Sequence, residues 1–116
     1  MATREDAELM VQLLRWGTEM GLDQALRELF SPEFNAETAP MTDPSIERAL
    51  SFFETVGAFV KHDVLDAELV SDLMWIEGIW AKVSHHALAA RQEENEPSLY
   101  EHFEALVARK AALAGR

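Results

Sequence analysis

Two glutamates inside apolar helical segments are the residues whose type and position most suggest chemistry. Glu77 lies within the run Leu73 to Trp80, which is apolar on almost every side, and Glu54 lies one turn before the small residue Gly57. A buried, unpaired carboxylate has a raised pKa, and two carboxylates on adjacent core helices can share a proton or bind a ligand or a cation. We therefore take Glu54 and Glu77 as candidate catalytic and ligand-binding residues. The alternative is that each carboxylate reaches solvent or pairs with an arginine or tryptophan N–H group.

Arg91 and His102 are two further candidate ligand-binding residues for the same site. Arg91 lies on the same helical stripe as Glu77 but two heptads further on, about 21 Å along the helix axis, so the two side chains cannot pair directly. His102 lies between Leu99 and Leu106 in the sequence. That position predicts a half-buried histidine at the edge of the core.

No motif in the sequence specifies a reaction. The chain has no cysteine, which excludes disulfides, thiol catalysis and cysteine-ligated zinc or iron–sulfur clusters. The adjacent His85 and His86 diverge by about 100° on a helix and cannot chelate one ion. There is no Glu-x-x-His or His-Glu-x-x-His motif, no glycine-rich phosphate loop and no Gly-x-Ser-x-Gly. The sequence predicts no cofactor and no metal site, and it leaves open whether the protein is an enzyme.

The segment around Glu77 carries more apolar surface than one helix face. Ile76 and Trp80 lie on the inward seam, whereas Trp75 and Ile79, four residues apart, lie together on one flank. A helix that is apolar on three sides is either central or shared with a second chain. We therefore predict that Trp75, Ile79 and Trp80 form an interface and that the protein is a homodimer. The alternative is that the loop 31–43, or the short helix before it, covers them.

Helix start and stop signals divide the first part of the chain. A helix is predicted from Arg4 to Met20 with Thr3 as its N-cap. A shorter helix follows, with Asp23 as its N-cap, and ends at Ser31-Pro32. Residues 31–43 then form the one long loop, which is either a crossover connection or a lid or partner-binding loop.

Three further helices are predicted after this loop. The dipeptide Asp43-Pro44 starts the second long helix, because proline fits the first helical position. The third is predicted as one continuous helix from Asp66 to about Gln92, since apolar residues recur at alternating spacings of four and three. Asn95 or Glu96 then caps a fourth helix, with Pro97 at its first position. The inward-facing positions of the fourth helix are Leu99, Phe103, Leu106 and Leu113.

These elements predict an all-α fold, since no strand-like segment competes with them. The expected architecture is an antiparallel bundle of four main helices plus a short helix, with the loop 31–43. The chain has 116 residues, of which 48% are hydrophobic. That length and composition predict a single domain over residues 1–116, large enough to bury its own core.

The charge balance limits the partners. The chain has 10 Lys and Arg against 21 Asp and Glu, a net charge of −11, and an acidic surface gains nothing from counterion release on nucleic acid. No direct nucleic-acid binding is therefore expected, although an acidic mimic of nucleic acid that inhibits a DNA-binding protein is one alternative function. No apolar run approaches the roughly 20 residues of a membrane span, and the acidic amino terminus is unlike a targeting peptide. We therefore expect no membrane contact and a cytoplasmic location.

Several short motifs between Ile46 and Val107 resemble a known family. They are Phe53-Glu54 before Gly57, Val64-Leu65-Asp66 before Glu68-Leu69-Val70, then Trp80, Arg91 and the run Leu99-Tyr100-Glu101-His102-Phe103-Glu104. In these motifs the chain resembles a bacterial family of small helical proteins defined as a domain of unknown function. The resemblance implies a helical fold but no activity, substrate or catalytic residue. Members often resemble membrane-anchored proteins with an amino-terminal span, whereas the first helix of this chain is charged.

The sequence thus favours a self-associating protein-interaction module. The main alternative is a small-molecule-binding or acid/base site in the bundle core that uses Glu54 and Glu77. That alternative predicts a cavity between the second and third long helices, with both carboxylates facing it.

Overall fold

The computed structural model describes the backbone of residues 1–114 and the side chains of residues 1–112, so the predicted inward position of Leu113 lies outside the described side chains. Over this part the fold is all-α, as predicted, and contains no strand. None of its helices is long and apolar enough to cross a membrane. The helices are α1 (Arg4–Glu19), α2 (Leu22–Leu29), α3 (Pro44–Lys61), α4 (Ala67–Leu73), α5 (Ile76–Glu93) and α6 (Glu101–Ala114).

Side-chain caps define the starts of α1 and α3, as predicted. The Thr3 hydroxyl accepts from the Asp6 backbone N–H at 3.2 Å, and the Asp6 carboxylate accepts from the Thr3 backbone N–H at 2.7 Å. This reciprocal capping box satisfies two backbone donors at once. At α3, Asp43 Oδ1 accepts from the backbone N–H groups of Ser45 and Ile46 at 2.9 and 3.1 Å.

Helix α2 starts at a glycine instead of the predicted aspartate cap. Gly21 has φ +83°, a left-handed conformation that glycine adopts without a steric penalty. It turns the chain directly from α1 into α2. The prediction of Asp23 as N-cap is therefore wrong, and its carboxylate lies in the first turn, where the helix dipole favours negative charge.

The predicted continuous helix from Asp66 to Gln92 is wrong, because Met74 and Trp75 interrupt it. Met74 is extended, with φ −130° and ψ 136°, so α4 ends before it and α5 begins after Trp75. A continuous helix would place Trp75 and Ile79, four residues apart, on one face. The break separates them instead: Ile79 is 4% exposed and packs in the core, whereas Trp75 is 60% exposed.

Helix α6 begins at Glu101, later than the predicted start at Pro97. The four residues from Pro97 to Tyr100 form a turn, and Tyr100 has φ +59°, which lies outside the helical region. Neither Asn95 nor Glu96 is therefore the N-cap of α6, because Tyr100 is the residue directly before the helix. This left-handed residue delays a helix that the sequence pattern permits to start earlier.

Helix α3 lies at the centre of the fold and packs most extensively against α6 and α2, and also against α5. Aromatic rings form a continuous row from α1 through α3 and α6 to α5, with successive ring centroids 4.9 to 5.2 Å apart. Such pairs add to the free energy gained from burying the rings themselves. The row is Trp16, Phe52, Phe53, Phe103 and Trp80.

Helices α5 and α6 run in opposite directions. Glu77 in the first turn of α5 pairs with Lys110 near the end of α6, at 3.1 Å. Arg91 near the end of α5 pairs with Glu104 in the first turn of α6, at 3.2 Å. The two ion pairs therefore connect opposite ends of the two helices.

The loop 31–43 contains no helix or strand, as predicted, and one buried histidine holds it against α5. His86 is 2% exposed, and its Nε2 lies 2.9 Å from the Ala39 carbonyl oxygen. A carbonyl oxygen only accepts, so Nε2 donates in this hydrogen bond. The other ring nitrogen, Nδ1, is buried without a hydrogen-bond partner among the described residues.

Candidate functional site

Trp75, in the break between α4 and α5, presents a large exposed indole in a defined orientation. Its ring stacks on Phe30, just after α2, with centroids 5.3 Å apart and planes at 20°. It also lies directly over Gly78, where an added Cβ would overlap the indole atoms. These two contacts order the ring although most of the residue is open to solvent.

Phe30 and Lys82 extend the exposed surface around Trp75. Phe30 is itself exposed, and the Lys82 Nζ lies 5.3 Å from the centroid of its ring, within the range of a cation–π contact. Leu73, two residues before Trp75 in the chain, is also exposed. We refer to Phe30, Trp75 and Lys82 as the Trp75 surface. It places a positive charge beside two stacked aromatic rings on an acidic protein.

Lys110 of α6 connects the two sides of the helix break. Its Nζ lies 3.1 Å from Glu77 Oε2 and 3.4 Å from the carbonyl oxygen of Ser71. Ser71 belongs to α4 and Glu77 to the first turn of α5. One ammonium group therefore bridges the end of one helix and the start of the next.

Hydrogen bonding at the start of α5 lowers the pKa of Glu77. The largest cause is a hydrogen bond from backbone N–H, followed by the Lys110 ammonium and the Trp75 side chain. The side chain of Glu77 is 48% exposed. The raised pKa that an apolar setting predicts for an unpaired carboxylate is therefore not found. The physical reason is that Glu77 lies at the start of a new helix instead of inside a long buried one.

Glu54 caps α6 from a different helix. Its Oε1 accepts from the backbone N–H of Phe103 at 2.8 Å. Phe103 is the third residue of α6, where the N–H has no partner within the helix. Tyr100, immediately before the helix, lacks the short polar side chain of an N-cap. A carboxylate from α3 therefore satisfies this donor near the positive end of the helix dipole.

Arg91 and His102 also have partners at the start of α6. Arg91 Nε donates to the Leu99 carbonyl oxygen at 2.7 Å, and its guanidinium pairs with Glu104. His102 is partly buried, as predicted, and its Nε2 lies 3.7 Å from a Glu101 oxygen. These contacts order the turn between α5 and α6.

The structure does not bring Glu54 and Glu77 together. Glu54 contacts Phe103 and Glu77 contacts Lys110, two residues that lie two turns apart on α6, about 10 Å along its axis. Within the described part of the chain, no group of three or more His, Asp or Glu side chains is arranged to hold a metal ion. Each candidate carboxylate therefore has its own partner in the fold.

The predicted interface residues lie in three different environments. Trp75 is widely exposed and Ile79 is buried, while Trp80 is partly buried and its ring centroid lies 4.9 Å from that of Phe103. Phe30 follows the short helix α2, and the packing of that helix brings it against Trp75. Gly78 does give a signal in the sequence, because a glycine leaves room for a side chain to pack directly over the backbone.

Comparison with known proteins identifies a family and no characterised relative. No curated protein matches the chain, and no solved structure matches it. A family described as a domain of unknown function, DUF4760, matches residues 3–110. The match extends beyond the resemblance over residues 46–107 to include α1, α2 and the loop 31–43. The chain therefore belongs to the DUF4760 family.

Proposed function

We propose that this protein is an interaction module that forms a homodimer through the Trp75 surface. The observation that supports the proposal is the exposed indole of Trp75, which Phe30 and Gly78 hold in one orientation. Tryptophan is enriched among the residues that dominate binding free energy at protein interfaces. A ring that is already ordered loses little conformational entropy when a partner binds.

The size of the surface argues for a weak dimer. A stable specific interface buries about 800 Å² on each partner, and burial contributes about 25 cal/mol per Å² of apolar area. Three side chains do not supply that area, so the contact extends to neighbouring exposed residues such as Leu73. We expect a dissociation constant in the micromolar range.

The net charge of −11 opposes the association of two copies. Lys82 reduces this repulsion locally, because it places a positive charge beside the aromatic pair. We also propose a cytoplasmic location. It does not retain a core site with Glu54 and Glu77, since each carboxylate already has a partner.

The experiment is sedimentation velocity over a series of protein concentrations, with Trp75→Glu as the test variant. Val11→Glu is the matched control, because Val11 is about as exposed on α1 and the charge change is the same. We expect the wild type and the control to approach twice the monomer mass while Trp75→Glu stays monomeric. Circular dichroism checks that both variants fold. A monomeric wild type throughout the series, or equal loss of association in both variants, would contradict the proposal.

A further inference from the structure

The backbone at Trp75 is not fixed by either of the helices that flank it. Trp75 has φ −85° and ψ 72°, outside the helical region, and its side chain makes no capping hydrogen bond to α5. Met74 before it is extended. Helices α4 and α5 both pack against α6, whereas they make at most weak contact with each other. The angle between them, and with it the direction of the indole, therefore depends on what α6 supplies.

Lys110 is the side chain of α6 that acts on both sides of the break. The carbonyl groups in the last turn of a helix lack partners within it and favour a cation, yet the last turn of α4 has no basic residue. The Lys110 ammonium, 3.4 Å from the Ser71 carbonyl oxygen, supplies that cation. The same ammonium lies 3.1 Å from the Glu77 carboxylate in the first turn of α5. Lys110 thus fixes the end of α4 relative to the start of α5.

Glu77 connects this ammonium to the indole. Its carboxylate accepts from backbone N–H at the start of α5, from Lys110 and from the Trp75 side chain. The indole N–H is the only polar group of a tryptophan side chain, so it is the donor. The contacts that begin at Lys110 therefore end at the ring that stacks on Phe30.

The other two contacts of the indole do not fix the break. Phe30 is itself exposed, so the stack orients two exposed rings relative to each other. Gly78 leaves room beneath the indole but contributes no directional contact. Of the three sets of contacts, only that of Lys110 joins α4 to α5.

We propose that Lys110 and Glu77 are positioning residues for the Trp75 surface, although neither belongs to it. Their ion pair holds the break in the geometry in which the indole stacks on Phe30. Without the pair, α4 and α5 reorient at the break and the indole leaves the stacked position. The state of one ion pair thereby regulates the interaction surface. The consequence for association rests on the proposed function, whereas the consequence for the ring does not.

The second ion pair between α5 and α6 provides a matched control. Arg91 pairs with Glu104 and also donates to a backbone carbonyl, that of Leu99, as Lys110 does to Ser71. This pair lies at the opposite end of the two helices, away from the break. Lys110→Met is therefore the test variant and Arg91→Met the control, because each removes one positive charge and one contact to a carbonyl oxygen.

Nuclear Overhauser effects between the rings of Trp75 and Phe30 report the position of the indole. They are measured at protein concentrations where sedimentation shows only monomer. The chain has three tryptophans, and Trp75→Glu identifies the signals of this one. We expect the effects to weaken in Lys110→Met and to persist in Arg91→Met.

Glu77→Gln tests the same pair from its other side and gives an answer even if Lys110→Met fails to fold. It should weaken the effects between the two rings as well. Unchanged effects in Glu77→Gln or in a folded Lys110→Met would overturn the proposal. Equal weakening in Lys110→Met and Arg91→Met would also overturn it, because any loss of an ion pair between α5 and α6 would then suffice.

Sedimentation velocity of the same variants measures the consequence for association. Lys110→Met should raise the dissociation constant of the dimer about fivefold, and Arg91→Met by about twofold or less. An unchanged dimer in a Lys110→Met variant that has lost the stack would overturn the regulation of the surface. A wild type that stays monomeric contradicts the proposed function instead, and the ring measurements still test the positioning role.

Discussion

Gly57 of α3 lies against the backbone carbonyl of His102 in α6, so closely that a Cβ on Gly57 would overlap the carbonyl oxygen. One turn earlier on α3, the Glu54 carboxylate accepts from the backbone N–H of Phe103. The contact between α3 and α6 thus depends on two residues one turn apart on α3: Gly57, which has no side chain, and Glu54, whose carboxylate accepts a hydrogen bond. Both features act on the first turn of α6.

Gly57→Ala should destabilise the fold, because the new methyl group forces the backbones of α3 and α6 apart. Overpacking of a well-packed contact costs about 1–3 kcal/mol, and we expect a loss in that range from urea unfolding. Ser51→Ala, on the exposed side of the same helix, should change the stability by less than about 0.5 kcal/mol. Equal stability of the two variants would show that α6 can move away without cost.

Glu54→Ala should lower the stability by about 1–3 kcal/mol, because it leaves the Phe103 N–H partly buried without an acceptor. Glu54→Gln keeps an oxygen acceptor and should lose less. Hydrogen exchange of the Phe103 amide should become faster in the alanine variant than in the glutamine variant. An unchanged exchange rate in Glu54→Ala would argue against the capping role.

Acid should destabilise the protein through Asp6 and Glu77. Hydrogen bonds from the Thr3 backbone and hydroxyl lower the pKa of Asp6, and the backbone N–H and Lys110 lower the pKa of Glu77. A carboxylate with a lowered folded-state pKa stabilises the fold above its ordinary pKa, and this stabilisation is lost as the pH falls through the lowered value.

We therefore expect the unfolding free energy to fall as the pH drops below about 4.5, because carboxyl groups of the unfolded chain bind protons there more readily than Asp6 and Glu77 do in the folded protein. Glu77→Gln should flatten this dependence, measured by urea unfolding at several pH values. Glu68→Gln, an exposed carboxylate on α4, is the control and should keep the wild-type slope. A Glu77→Gln curve parallel to wild type would contradict the assignment.

Salt should strengthen the proposed dimer. Screening weakens the repulsion between two chains of charge −11, so dimerisation through Trp75 should strengthen as ionic strength rises. Sedimentation velocity at low and high salt measures this trend, and a dimer that dissociates in high salt would point to ion pairs instead of apolar contact.

His86→Leu should loosen the loop 31–43 without unfolding the protein, because it removes the hydrogen bond to Ala39. A glutamate-specific protease should then cleave faster at Glu33 and Glu37 in this loop. His85→Leu is the matched control, because His85 is the next residue in the chain and its side chain is exposed. Equal cleavage rates in the two variants would show that other contacts, such as that of Phe34 with the core, suffice to hold the loop.

Local signals in the sequence account for the helix starts that were predicted correctly. Thr3 and Asp43 cap α1 and α3 as predicted, since a cap depends on residues within one turn of it. The same locality explains why the sequence predicts α1 and the start of α3 well. The late start of α6 was not predicted, because the left-handed Tyr100 lies in a turn ordered from outside by Arg91.

The sequence by itself determined an all-α chain, its main apolar faces and the absence of cysteine chemistry, because composition, periodicity and caps are local properties. Only the tertiary structure decided the roles of the candidate site residues. Packing of α6 against α3 makes Glu54 a cap, and Lys110 makes Glu77 half of an ion pair. The break at Trp75 exposes that indole while Ile79 enters the core, since burial is set by contacts between helices that no single helix encodes.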